Sequence, residues 1–205
     1  STSGDLILGA IIEKLSWVTY AQYVEENIIK PVGMENTFIG KNAVMSDALM
    51  KAYVKGVNGF EVQPIQMNAA ESAASGLYST LDDYYKFYMA LNSGKLIDES
   101  SLEQTRTAYK LNDGRKVTYG YGTELTNFEG EKVYSLSGSK AGIYTSQFYL
   151  PLQDILIIAL ANCDLYKDKY LAINSFLKVA TDLNTSLAFR GDDSLRIEYY
   201  HSLFD

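Results

Sequence analysis

The stretch KVYSLSGSKAGIYTSQFYLPLQDILIIALA, residues 132–161, alternates apolar runs with turn residues at short, regular intervals. Lys132–Leu136, Ile143–Leu150 and Ile155–Ala161 carry the β-branched and aromatic residues that suit a pleated, half-buried surface. Lys140–Gly142 and Pro151–Asp154 separate them with turn chemistry, and Glu129-Gly130 precedes the first. Gaps this short permit only antiparallel neighbours, since a parallel crossover needs a dozen residues or more. With an earlier strand at Val117–Leu125, this reads as an antiparallel meander.

Upstream the period changes to that of a helix. Gly4–Leu15 places Leu6, Ile7, Ala10, Ile11 and Leu15 at helical spacing, with Ser3 or Asp5 suited to start it. Thr19–Ile29 carries Tyr20, Tyr23, Val24 and Ile28 on one side, Pro31 stops it, and Gly33 permits the turn that follows. Residues 38–70 are mixed and turn-rich. Ser79-Thr80-Leu81-Asp82-Asp83 gives a hydroxyl cap followed by acids in the first turn, and that helix runs to about Asn92 before Gly94. A shorter helix is expected at Glu99–Ala108 and a last one at Lys167–Leu183. Helices, then a meander, then a helix to cover one sheet face is an α+β layer arrangement. We expect a mainly helical subregion over 1–110, a sheet plus C-terminal helix over 111–185, and a tail over 186–205.

Composition narrows the function. The 205 residues carry a net charge of −7 and no basic cluster, which makes nucleic acid a poor partner. The longest apolar runs, Leu6–Ile12 and Ile155–Ala161, are far too short to span a membrane and read as a buried helix and a buried strand. A single cysteine, Cys163, excludes an internal disulfide, and its place after an apolar strand reads as an inert core thiol. The only histidine, His201, lies in the tail, which argues against both a Ser-His-Asp triad and a histidine zinc site.

Several segments, in order, resemble the class C β-lactamase-like branch of the penicillin-recognising serine hydrolases, which includes D,D-peptidases, esterases and D-amino-acid peptidases. Residues 1–13, STSGDLILGAIIE, resemble that family's YSNSGYxLLGxIIE segment. PVGMENT at 31–37 resembles its PLGMxxT turn, and ASGLYSTLDD at 74–83 its AGGLYSTxxDL segment. YGYG at 119–122 and YSLSGSKAG at 134–142 resemble its YGLGW and YGHSGxxPG segments.

The resemblance implies hydrolysis of an amide or ester through an acyl-enzyme, outside the cytoplasm, with no cofactor and no metal. A Ser-x-x-Lys pair would supply an activated nucleophile, because a serine hydroxyl attacks poorly until a base takes its proton. A Tyr-x-Asn element would supply a general base and an orienting amide. A Lys/His-Ser/Thr-Gly strand edge would bind the substrate carboxylate and back the oxyanion hole, where fixed N–H donors meet developing charge. By this resemblance Ser137, Gly138 and Ser139 form the catalytic edge, with the Ser139 N–H as oxyanion donor. Thr2, Ser75 and Leu136 would meet substrate.

This chain departs from the pattern. The family's Ser-x-x-Lys and its Tyr lie upstream of Ser1, so a companion N-terminal segment or chain is expected. Without it, Ile155–Ala161 would be an open apolar edge. Thr2 stands where Asn is usual, and Leu136 stands where Lys or His is usual. Leu136 therefore has two readings, a residue of a non-catalytic pseudoenzyme or the wall of an apolar subsite in an esterase-like hydrolase.

Other candidates have plainer readings. Ser137–Lys140 and Ser175–Lys178 match Ser-x-x-Lys in the wrong context, at a strand end and on the last helix. Tyr84, Tyr85 and Tyr88 read as packing with hydroxyls at the rim. Asp82-Asp83 reads as helix N-terminal charge.

Overall fold

The computed structural model describes residues 1–40, 49–65, 72–163 and 178. Three helical pieces open the chain: α1 (Thr2–Ser16), α2 (Tyr20–Val24) continued by a π turn (Glu25–Ile29), and α3 (Lys30–Val32). Then come β1 (Phe38–Ile39), β2 (Ala52–Gly56), β3 (Gly59–Gln63), α4 (Ser72–Ser75) and β4 (Leu77–Tyr78). Helices α5 (Leu81–Asn92) and α6 (Glu99–Thr105) precede β5 (Glu124–Phe128), β6 (Glu131–Lys140), β7 (Ile143–Leu150) and β8 (Ile155–Ala161). The last four strands form one antiparallel sheet in chain order, while β1 pairs with β4 and β2 with β3. The expected α+β meander is present.

Two turns fix the sheet's register. Glu129 and Gly130, at φ 50° and 90°, both take the left-handed conformation that matches the twist of a tight hairpin. Gly142 has φ 73°, and a Cβ there would lie 2.8 Å from the Tyr53 backbone nitrogen. Paired residues share a face, so alternation sorts the sheet into two sides. One side buries Val133, Phe148, Leu150 and Ile157, with Phe128 and Ile155 packed against them. The other side receives α5 and α6: Tyr88 meets Tyr149 with ring centroids 5.4 Å apart, and the Arg106 guanidinium lies 4.9 Å from the Tyr134 ring centroid.

A second core gathers Val24, Ile29, Met34 and Ile39, with Tyr20, Tyr23, Ile28 and Phe87 around it. The expected face of the second helix is thus the buried one, but Pro31 does not stop it. The Lys30 N–H reaches the Glu25 carbonyl across the π turn, and the path runs through Val32 to Gly33 at φ 79°. Pro31 has no N–H to leave unpaired, and the wider turn before it gives its ring room.

Ser1, rather than Ser3 or Asp5, caps α1, accepting the Gly4 N–H at 3.3 Å. The expectation of a buried helix is overturned. Gly9 is the buried residue of α1, and a Cβ there would come within 2.4 Å of the Ala73 Cβ. Ile7 and Leu15 are 62% and 76% exposed, because α1 packs through its Gly9 side on α4 and α2. Strand β8 is likewise only partly buried, with Ile157 its one buried residue.

The strand expected at Val117–Leu125 is displaced. The Val117 N–H donates to the Tyr109 carbonyl and the Tyr109 N–H to the Tyr119 carbonyl in a short loop, and Gly120 and Gly122 turn the chain before β5 begins at Glu124. A Cβ on Gly120 would lie 2.1 Å from the Thr105 carbonyl oxygen, so the glycine serves a close crossing that periodicity does not reveal. Helix α6 ends at Thr105, short of Ala108. Strand β6 runs beyond Leu136 to Lys140. The helix expected at Lys167–Leu183 lies outside the described residues apart from Lys178, as does the 186–205 tail.

Asp83 does more than complement a helix end. It is fully buried, and its carboxylate accepts from the Asn36 N–H at 2.6 Å, Thr37 Oγ1 at 3.0 Å and Lys86 Nζ at 2.9 Å. Burial opposes its ionisation, but the bonds from Lys86, Asn36 and Thr37 outweigh burial and hold the carboxyl below its ordinary range. The residue pins the turn before β1 to the start of α5.

Candidate active site

The strand edge marked by Leu136, Ser137, Gly138 and Ser139 is open. Strand β5 pairs with the first half of β6 and ends where Glu124 faces Ser135. Beyond that point no strand among the described residues lies on the outer side of β6. The two-residue loop between β6 and β7 makes Lys140 and Ile143 the closing pair. Backbone groups alternate in direction along an antiparallel strand, so Leu136 and Gly138 turn theirs toward β7. Those of Ser137 and Ser139 face the open side, as Ser135's face β5. Gly138 keeps the edge low, and Thr145 Oγ1 donates to its carbonyl at 3.4 Å.

Side chains alternate the other way. Leu136 pairs with Gln147 on the side covered by α5. Ser137 and Ser139 pair with Ser146 and Tyr144, so their hydroxyls belong to the opposite side. This settles the nearer Ser-x-x-Lys match. On an extended strand Ser137 and Lys140 point to opposite faces and cannot act as a nucleophile–base pair. The other match, Ser175–Lys178, lies outside the described residues except for Lys178.

The remaining expected residues sit on helices. Thr2 is exposed in the first turn of α1, and Ser75 is exposed at the end of α4. Those two helices meet through Gly9 and Ala73. The Leu136–Ser139 edge meets β7 instead and is tied through Gln147 to α5.

That tie went unread in the sequence. Tyr84 Oη donates to Gln147 Oε1 at 2.6 Å, and burial pushes the Tyr84 hydroxyl up to about 12, so it stays protonated at physiological pH. Tyr88 is also raised by burial, against the opposing charge of Arg106. The tyrosines are packing residues as expected, but two of their hydroxyls are anchored inside rather than at the rim. A Gln in the strand run Ile143–Leu150, directly before Phe148, Tyr149 and Leu150, was the available signal. Ser146 was missed too: it is buried, and its Oγ has no hydrogen-bond partner among the described residues.

The positive charge in this cluster of tyrosines is Arg106, and it is engaged. Its Nη2 contacts Tyr88 Oη at 3.3 Å and Asn92 Oδ1, with the guanidinium over the Tyr134 and Tyr149 rings. Among the described residues no group of His, Cys, Asp and Glu is arranged to hold a metal ion. None of their helices is long and apolar enough to cross a membrane.

The model of the β-lactamase family matches residues 1–178. The chain belongs to the β-lactamase family. It is 27% identical over 158 residues to penicillin-binding protein 4* of Bacillus subtilis (strain 168), covering 71% of this chain and 35% of that protein. It is 29% identical over 147 residues to β-lactamase-like protein 2 of Dictyostelium discoideum, covering 69% of this chain and 26% of that one. The chain therefore spans about a third or less of these curated relatives.

Solved structures agree on the fold. The octameric penicillin-binding protein homologue from Pyrococcus abyssi superposes with a TM-score of 0.73 at 27% identity, covering 88% of this chain and 42% of that one. The D-amino acid amidase from Ochrobactrum anthropi SV3 complexed with D-phenylalanine gives 0.76 at 18% identity, covering 89% and 58%. The fold is that of the penicillin-recognising serine hydrolases, covered in part.

Proposed function

We propose that this chain is the C-terminal part of a serine hydrolase that cleaves an amide or ester through an acyl-enzyme. The observation that carries the reading is the open outer edge of β6, where the backbone of Ser139 faces away from the sheet. A carbonyl placed there would receive the Ser139 N–H as its oxygen gains charge, the interaction that stabilises acyl transfer most. Gly138 allows the close approach, and Thr2 and Ser75 would border the substrate from the helical side. The nucleophile and its base come from an upstream segment or a companion chain. The exposed apolar face of α1 and the outer edge of β8, which no strand among the described residues pairs, support this reading, since such surfaces ordinarily find cover. Relatives named as penicillin-binding proteins support an extracytoplasmic place of action.

Labelling the native protein with a fluorophosphonate or a fluorescent penicillin tests the proposal. Covalent labelling of a serine upstream of Ser1 is the expected result; absence of labelling with both probes sinks it. A second reading, a non-catalytic binding protein of the same fold, is favoured by one observation: Leu136 places an uncharged, exposed side chain where the resemblance calls for a cation. Ligand binding without any labelling would select it.

A further inference from the structure

Between Lys132 and Lys140, the β6 side chains on the face that Leu136 shares are uncharged. Leu136 is 42% exposed and opens a run of exposed residues that continues to Lys140, whereas Val133, Tyr134 and Ser135 before it are partly or fully buried. Directly across from it, Gln147 has its Oε1 occupied by the Tyr84 hydroxyl, which fixes the amide plane and leaves the Nε2 side as its donor. The next pair toward the hairpin is Gly138 with Thr145, where the missing side chain leaves space beside Leu136. Across β7, Ile158 continues the Leu136–Gln147 row and Leu160 the row beyond it, both apolar. An arriving group thus meets a methyl surface backed by a buried, neutral amide.

Among the described residues, the cations of β6 and of the end of α6 on this side are engaged or set back along the strand. Arg106 is held at the Tyr134–Tyr149 pair by two rings, Tyr88 and Asn92. Lys132 and Lys140 share the face, but each stands four residues, about 13 Å, from Leu136 along the strand. A carboxylate pressed against Leu136 would lose water without gaining a counter-ion, which disfavours it strongly.

We propose that the β6 edge selects substrates whose group at Leu136 is uncharged and apolar, with Leu136 and the Tyr84-held amide of Gln147 as the specificity-determining pair. An ester or capped amide fits; a free carboxylate at that position does not. This rests on the hydrolase reading above.

The test compares phenyl acetate with 3-carboxyphenyl acetate on the native full-length protein, each kcat/KM divided by the ester's own hydroxide rate. The neutral ester is turned over faster by about tenfold or more. Leu136→Lys narrows or inverts the ratio, and Gln147→Leu lowers kcat/KM for the neutral ester, with circular dichroism and Tm confirming that each variant folds. Equal or faster turnover of the carboxylate ester by the unsubstituted protein overturns the proposal, as does a ratio indifferent to Leu136→Lys. A carboxylate preference abolished by Arg106→Gln or Lys140→Gln also overturns it and names the cation responsible. If fluorophosphonate labelling is absent and neither ester is cleaved, the hydrolase reading is what has failed. Binding of the same two esters, followed by NMR, then decides the selectivity: equal or tighter binding of the carboxylate ester overturns it.

Discussion

Tyr84 and Gln147 join α5 to the middle of β7 through a 2.6 Å hydrogen bond on the side of the sheet that Leu136 shares. The contact links the helical layer to the strand next to the candidate edge. Tyr84→Phe removes the donor and leaves a buried amide oxygen unsatisfied, a loss of about 1–3 kcal/mol. Urea denaturation is expected to show this as a lower midpoint at unchanged slope; a midpoint within error of the parent would mean the bond contributes nothing net.

Asp83 is the second polar anchor. Asp83→Asn keeps the shape but removes the charge that Lys86 and the Asn36 N–H meet, and an equilibrium loss of about 1–3 kcal/mol at neutral pH is expected. Its native carboxyl is held below the ordinary range. Its contribution is therefore complete above the unfolded value near pH 4 and is lost as pH falls through the lower native value. Denaturation between pH 6 and the acid limit should show a shallower acid decline in Asp83→Asn than in the parent. Parallel curves would remove Asp83 from the account.

Gly142 is constrained twice, by φ 73° and by the Tyr53 backbone nitrogen 2.8 Å from where a Cβ would sit. Gly142→Ala is expected to lower stability by about 1–3 kcal/mol and to shift NMR signals in both β2 and the β6–β7 turn. Shifts confined to the turn would show that β2 yields without cost.

The exposed face of α1 should make the isolated chain sticky. Ile7→Glu with Ile11→Glu is expected to reduce self-association in analytical ultracentrifugation and dye binding, with the Tm unchanged or higher. If the doubly substituted chain unfolds, those residues are core in solution and the face is covered.

Much of the fold was legible because it rests on short-range signals. Pro151, Gly142 and Glu129-Gly130 set strand ends through backbone preference, and the short gaps they leave permit only antiparallel neighbours. The misreadings come from contacts distant in sequence. Gly120 looked like part of a strand until the Thr105 carbonyl was found against it. Pro31 looked like a terminator because the compensating π turn involves no residue type that announces it. The apolar period of α1 marks a face but does not say whether this chain supplies its cover. At the candidate site, the motif at Leu136–Ser139 was visible as a string. Gln147 gains meaning only from Tyr84, whose hydroxyl reaches it from another element.

The central claim is that this chain supplies an edge while the nucleophile lies upstream. Intact-mass analysis after fluorophosphonate treatment, run side by side on the native full-length protein and on the isolated 205-residue chain, tests it most directly. The account predicts one adduct on the full-length protein, mapped to a serine before Ser1, and none on the isolated chain. A stoichiometric adduct on the isolated chain, at Ser137 or any other of its serines, would contradict it.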